Sequence, residues 1–69
     1  MKEAKIPFGE KVRGLLRERG ITQEQFELDT GINRRTLYDR GRYRRATITA
    51  LACYLEEDPE DLVAGTTAE

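Results

Sequence analysis

The chain has 69 residues, 38% of them apolar and 36% charged, which limits it to one domain with a thin core and a densely charged surface. No apolar run approaches the roughly 18 residues of a membrane span, and the N-terminus, MKEAKIPFGEK, is too polar for a signal peptide. The single cysteine, Cys53, allows neither an intramolecular disulfide nor a zinc site built from thiols, and there is no histidine. These features point to a cytoplasmic protein without catalytic residues, cofactor, metal or small-molecule substrate.

The net charge of −1 conceals a strong segregation. Met1–Ile32 balances six basic side chains against six acidic ones. Asn33–Arg45 carries six arginines and one acid, net +5, and Ala46–Glu69 carries six acids and no base. One segment is therefore suited to a polyanion, whatever the total.

In chain order, Met1–Ile6 lacks periodicity and is expected to fray, residues 1–5 most of all. Pro7 suits the first position of a helix. Phe8, Val12, Leu15, Leu16 and Arg19 then share one helical face, with Gly20 as the stop, so helix one spans about Pro7–Arg19. Thr22 followed by Gln25 reads as a capping box for helix two, and Ile21 can staple onto Phe26. That helix runs to Asp29 or Thr30, and Gly31 supplies the positive φ of a sharp turn.

Asn33 caps a third helix through Arg34, Arg35, Thr36, Leu37 and Tyr38 to Arg40, stopped by Gly41. Arg42–Arg45 reads as loop. Thr47 is the expected cap of a fourth helix with Ile48, Leu51, Ala52 and Leu55 on one face. Asp58 and Pro59 open a short fifth helix through Leu62 and Val63. Residues 65–69 read as tail, which leaves an ordered core over about 7–64. The expected core is Phe8, Val12, Leu15, Leu16, Ile21, Phe26, Ile32, Leu37, Ile48, Leu51, Ala52, Leu55 and Leu62. Cys53 beside it reads as a buried or half-buried filler. Glu56, Glu57, Asp58, Glu60 and Asp61 read as a cap, dipole partners and solvated surface rather than a cation site. The fold class is all-α, a compact single-domain bundle of about five short helices.

The ordered motifs G-I-T-Q at Gly20–Gln23 with Phe26, T-G-I-N at Thr30–Asn33, R-T-L at Arg35–Leu37, R-G at Arg40–Gly41, L-A-x-x-L at Leu51–Leu55 and D-P-E-D-L at Asp58–Leu62 resemble the lambda-repressor-like (Cro-type, or xenobiotic-response-element-type) helix-turn-helix family. The resemblance covers Phe8–Leu62. It implies that helices two and three form a helix-turn-helix, with the recognition helix Asn33–Arg40 in the major groove of double-stranded DNA. By position, Arg34, Arg35 and Tyr38 are the base-contacting candidates. Gln23, Asn33, Thr36, Arg40, Arg42, Tyr43, Arg44 and Arg45 are the phosphate-contacting ones. The implied function is a sequence-specific DNA-binding regulator, most simply a repressor, with any homodimer weak alone and strengthened on DNA.

Two departures matter. Glu27 stands where the family usually has a small residue, which places a carboxylate within reach of Arg34 or Arg35. The recognition helix is also about two residues short. Both features suit an alternative, a protein-interaction module (antitoxin-like or adaptor) that binds an acidic protein partner. Two further alternatives concern side chains. Arg34 and Arg35 suit either guanine edges or a solvated helix end, and Tyr38 either meets DNA or fills the core.

Overall fold

The computed structural model describes residues 5–38 and 43–69. Among these residues the order is α1 (Phe8–Glu18), α2 (Gln23–Thr30), a 3₁₀ helix η1 (Arg34–Tyr38), α3 (Arg45–Leu55) and α4 (Pro59–Val63), with no strand. The Cα radius of gyration, 11.5 Å, matches the ~11 Å of a compact chain of this length.

α1 is the hub, touching η1, α2, α3 and α4. Phe8, Val12 and Leu16 fall on its buried face, as the sequence spacing requires. They meet Phe26, Leu37, Leu51, Ala52, Leu55 and Leu62 in one buried cluster. Leu15, Ile21, Ile32 and Ile48 pack on it half-buried. Pro7 takes the N-cap position rather than the first helical one. At the other end Ile21 N–H donates to the Leu16 carbonyl (2.9 Å) and Gly20 N–H to that of Arg17 (3.1 Å). With Gly20 at φ +70°, this pair of bonds is a Schellman closure.

Gly9 decides how closely η1 approaches. A Cβ built there would overlap the carbonyl carbon and oxygen of Leu37 and lie 2.8 Å from the Tyr43 hydroxyl. Only hydrogen fits.

The N-cap of α2 is as expected: Thr22 Oγ1 accepts from Gln25 N–H at 3.0 Å. Gln25 does not complete the capping box, because its side chain donates to Asp29 Oδ1 instead (2.7 Å). Asp29 also accepts from the Tyr54 hydroxyl at 2.6 Å, tying α2 to α3. That hydrogen bond, with some burial and the carboxylate charge, pushes the Tyr54 phenol up to about 12. Because the neutral phenol is the favoured form, this link stabilises the fold fully below about 10, the usual tyrosine value. It is lost as pH rises from there through about 12.

Several expectations need correction. The α-helix expected over Asn33–Arg40 is a 3₁₀ helix over Arg34–Tyr38; its stop at Gly41 falls, with Asp39, Arg40 and Arg42, outside the described residues. α3 begins at Arg45, with Arg44 as its N-cap and Thr47 inside the helix. The apolar stripe marks only where α3 meets the core, and Ala46 lets the helix run a turn beyond it. Cys53 is exposed, since it lies off the buried stripe of Leu51, Ala52 and Leu55. Tyr38 is 54% exposed and does not fill the core.

Residues 65–69, expected as tail, are tied to the body. Gly65 turns the chain at φ +73°. Ile6 N–H then donates to the Gly65 carbonyl (3.1 Å) and Thr67 N–H to that of Ile6 (2.9 Å). Thr66 is fully buried, its hydroxyl donating to the Val63 carbonyl. Thr67 Oγ1 accepts from Phe8 N–H at 3.2 Å, serving the first turn of α1 where Pro7 has no hydroxyl to offer.

The two interior glycines of α1 make opposite predictions. Gly9→Ala forces η1 away and is expected to lower stability by about 2 kcal/mol or more. Gly14, with nothing within 4 Å of its would-be Cβ, is a free helix position, and Gly14→Ala is expected to raise stability by about 0.5–1 kcal/mol. Urea unfolding of the two variants beside the parent checks both.

Candidate nucleic-acid interface

The basic segment enters the structure in two pieces, η1 and the start of α3. Gly31, in the left-handed conformation at φ +73°, ends α2 and reverses the chain. Thr30 supports the turn, its hydroxyl donating to the Phe26 carbonyl (2.8 Å) and accepting from Ile32 N–H (3.1 Å). Asn33 then caps η1 as expected, with Oδ1 accepting from Arg35 N–H at 2.8 Å.

A 3₁₀ helix has three residues per turn, so side chains at i and i+3 lie in line. Arg34 and Leu37 share one edge of η1, and Arg35 and Tyr38 share another. Leu37 is buried against the core. Arg34, on the same edge, is held by Glu27. Its Nη2 donates to Glu27 Oε1 at 3.0 Å and its backbone N–H to Oε2 at 2.7 Å. The pairing foreseen for Glu27 thus falls on Arg34. Arg35 is exposed, with no side-chain partner among the described residues.

This pair favours the charged form of both groups. Hydrogen bonding to the Arg34 side chain, then to its backbone N–H, with a smaller charge effect, holds the Glu27 carboxyl below its usual value. The same contact raises Arg34. Because both groups face water, the pair is a weak stabiliser that salt screens.

Tyr38 has two partners. Gln23 Nε2 donates to its hydroxyl at 2.8 Å, and the Arg13 guanidinium lies 4.3 Å from its ring centroid. Gln23, expected on phosphate, thus spends one amide hydrogen on Tyr38. Arg13 had no part in the sequence-based site, because an α1 residue on the face opposite the apolar stripe carries no signal of contact with η1.

Tyr43 joins the two basic pieces. Its hydroxyl donates to the Thr36 carbonyl, and its ring meets Phe8 edge-on with centroids 4.7 Å apart. Tyr43, expected on phosphate, is therefore half-buried and faces inward; an aromatic beside an apolar residue gains more from burial than from solvent. Thr36 is half-buried, its carbonyl taken by Tyr43 and its N–H donating to the Asn33 carbonyl (3.0 Å).

Beyond Tyr43, Arg44 and Arg45 are exposed at the start of α3. No side chain among the described residues caps that helix. Its first-turn N–H groups therefore sit beside two cations where an oxygen-bearing or acidic residue is the usual choice. Arg45 also borders a groove lined in part by Glu60 and Glu69. Arg40 and Arg42 lie outside the described residues.

Two acids of the C-terminal half, Asp58 and Glu57, are engaged elsewhere. Asp58 Oδ1 caps α4 through Glu60 N–H at 2.9 Å. Glu57 pairs with Arg19 at 2.9 Å, and Arg19 also donates to the Leu55 carbonyl at the end of α3. Lys11 serves the end of α4, donating to the carbonyls of Asp61 (2.6 Å) and Ala64 (3.1 Å).

No family model, no characterised protein and no solved structure matches this chain. No helix among the described residues is long and apolar enough to cross a membrane.

The Glu27–Arg34 pair sets an acid-side pH dependence. With the folded-state value depressed, the contribution is fully present above the usual carboxylate range and is lost as pH falls through the depressed value. Glu27→Gln is expected to flatten that part of the stability profile while leaving the alkaline side unchanged. Thermal unfolding of parent and variant between about pH 2 and 6, the range where carboxylates titrate, checks it.

Proposed function

We propose that the protein is a sequence-specific double-stranded DNA-binding regulator in which α2 and η1 form a helix-turn-helix. Its simplest action is repression by occupying a site. The observation that carries the reading is the start of α3. Arg44 and Arg45 stand at the N-terminus of α3, where the described residues supply no side-chain cap, and Tyr43 just before them ties this end to η1 through the Thr36 carbonyl. Cations at that end of a helix oppose the dipole, so an external anion would satisfy both the arginines and the first-turn N–H groups. A phosphate of the DNA backbone is such an anion.

The residues divide by what already occupies them. Arg35 is the foremost base-reading arginine, suited to the O6/N7 edge of guanine, because Arg34 is spoken for by Glu27. Arg44 is the freest phosphate contact and Arg45 a weaker one beside Glu60 and Glu69. Arg40 and Arg42 complete the basic segment in sequence.

A second reading has its own observation. Leu28, on the same helix as Glu27, is 76% exposed, and an exposed leucine beside a mixed charge pair suits a protein surface. In that case the fold is kept and the partner is an acidic protein.

Retention of a random duplex DNA pool at two salt concentrations, followed by sequencing, separates these readings. DNA recognition is expected to yield an enriched motif and a log–log salt slope of about −4 for four to five phosphates neutralised. Arg35→Ala is expected to relax the motif at one position, and Arg44→Ala to weaken all sequences alike. Salt-sensitive binding without a motif would reduce the site to a basic patch. No retention even at low salt would favour the protein partner.

A further inference from the structure

Three side chains from three elements converge at Tyr38, two of them from outside the basic segment. Arg13 of α1 stacks its guanidinium over Tyr38 at 4.3 Å, and its Nε points to the Leu37 carbonyl at 3.4 Å. Gln23 of α2 donates to the Tyr38 hydroxyl at 2.8 Å. Tyr38 itself remains 54% exposed. A core tyrosine would be covered, and an idle surface tyrosine would not be held at both its ring face and its oxygen. The arrangement fixes an aromatic side chain while leaving much of it open.

We infer that Arg13 is a positioning residue that sets Tyr38 to contact a thymine in the major groove; this rests on the DNA-binding reading above. The chemistry follows from what Tyr38 has left. Its oxygen accepts from Gln23, so the O–H proton stays available to an acceptor. One ring face is covered by Arg13, and the exposed part of the ring offers apolar surface. Thymine presents an acceptor, O4, beside a 5-methyl group, and no other base offers that combination in the major groove. Tyr38 also shares its edge of η1 with Arg35, so the two read neighbouring positions. Arg13 adds a cation from α1 to the same surface, which extends the interface beyond residues 33–45.

The test uses the full chain and the duplex motif retained from the random pool. The expected motif contains one thymine whose replacement by uracil, which removes only the methyl, weakens binding about fivefold. Tyr38→Phe, which removes the hydroxyl, is expected to lower the preference for thymine over cytosine at that position. Arg13→Lys keeps the charge but loses the planar stack. It should therefore relax the same position while leaving the salt slope and the unfolding midpoint near those of the parent. Gln23→Ala is expected to act at that position too.

If the parent enriches a motif and Arg13→Lys leaves every base preference unchanged, the inference fails while the DNA-binding reading stands. The same holds if uracil is accepted like thymine throughout. If the parent retains no duplex, or no motif, both fail together. An Arg13→Lys chain that loses affinity for all sequences equally, with a lowered unfolding midpoint, would reduce Arg13 to a structural role and also overturn the inference.

Discussion

The structure depends on the missing side chain at Gly9. α1 and η1 approach until the Leu37 carbonyl occupies the space a Cβ would take. Leu37 is buried as a result, and η1 is fixed on α1 by its backbone rather than by long side chains. Everything offered to a ligand hangs from that contact. Arg35 and Tyr38 project from η1, Arg13 reaches Tyr38 from the next turn of α1, and Tyr43 anchors on Thr36 with its ring on Phe8. A backbone contact of this kind tolerates little drift, because interiors repack in discrete steps rather than deforming smoothly. Such rigidity is what holds exposed side chains at fixed spacing.

Polar groups elsewhere are largely consumed in closing the fold. Arg19 and Lys11 serve the carbonyl ends of α3 and α4, Asp58 opens α4, Thr67 serves the first turn of α1, and Asp29 receives both Gln25 and Tyr54. Each of these groups sits at a helix end or between helices, where a thin core gives least support. The arginines of η1 and the start of α3 follow a different rule. Apart from Arg34, those within the described residues close nothing. A side chain excluded from the internal accounting is where an external partner is best sought.

Much of this was legible in the sequence, and the reasons differ by residue. All nine buried apolar residues among those described belong to the core expected from the sequence, because periodicity reports directly on burial. Thr22, Gly31, Asn33 and Asp58 took their expected roles because caps and left-handed turns depend on local chemistry. The non-local features were silent. Thr67 serving Phe8 spans 59 residues, and a threonine near a chain end looks like tail. Tyr43 among arginines looked like part of a basic loop, yet its neighbour in space is Phe8. Arg13 looked like solvated helix surface. The five-residue length of η1 was only half visible, since a shortened motif signals missing residues but not a change of helix type.

That change of type bears on how recognition can work. At about 2 Å of rise per residue, the five residues of η1 span only ~10 Å, about three base pairs at 3.4 Å each. With Leu37 turned inward and Arg34 held by Glu27, few η1 side chains are left for bases. An element so short cannot carry a full site by itself. On the DNA-binding reading proposed above, neighbouring elements would have to meet the deficit. α1 and α2 steady Tyr38 through Arg13 and Gln23, and on the same reading the doubly basic start of α3 would add phosphate contacts. Shortening the recognition element and recruiting three other elements are, on this view, two sides of one adaptation. If the protein binds DNA as proposed, affinity would rest on phosphate contacts at the start of α3, and sequence preference on the narrow edge of η1.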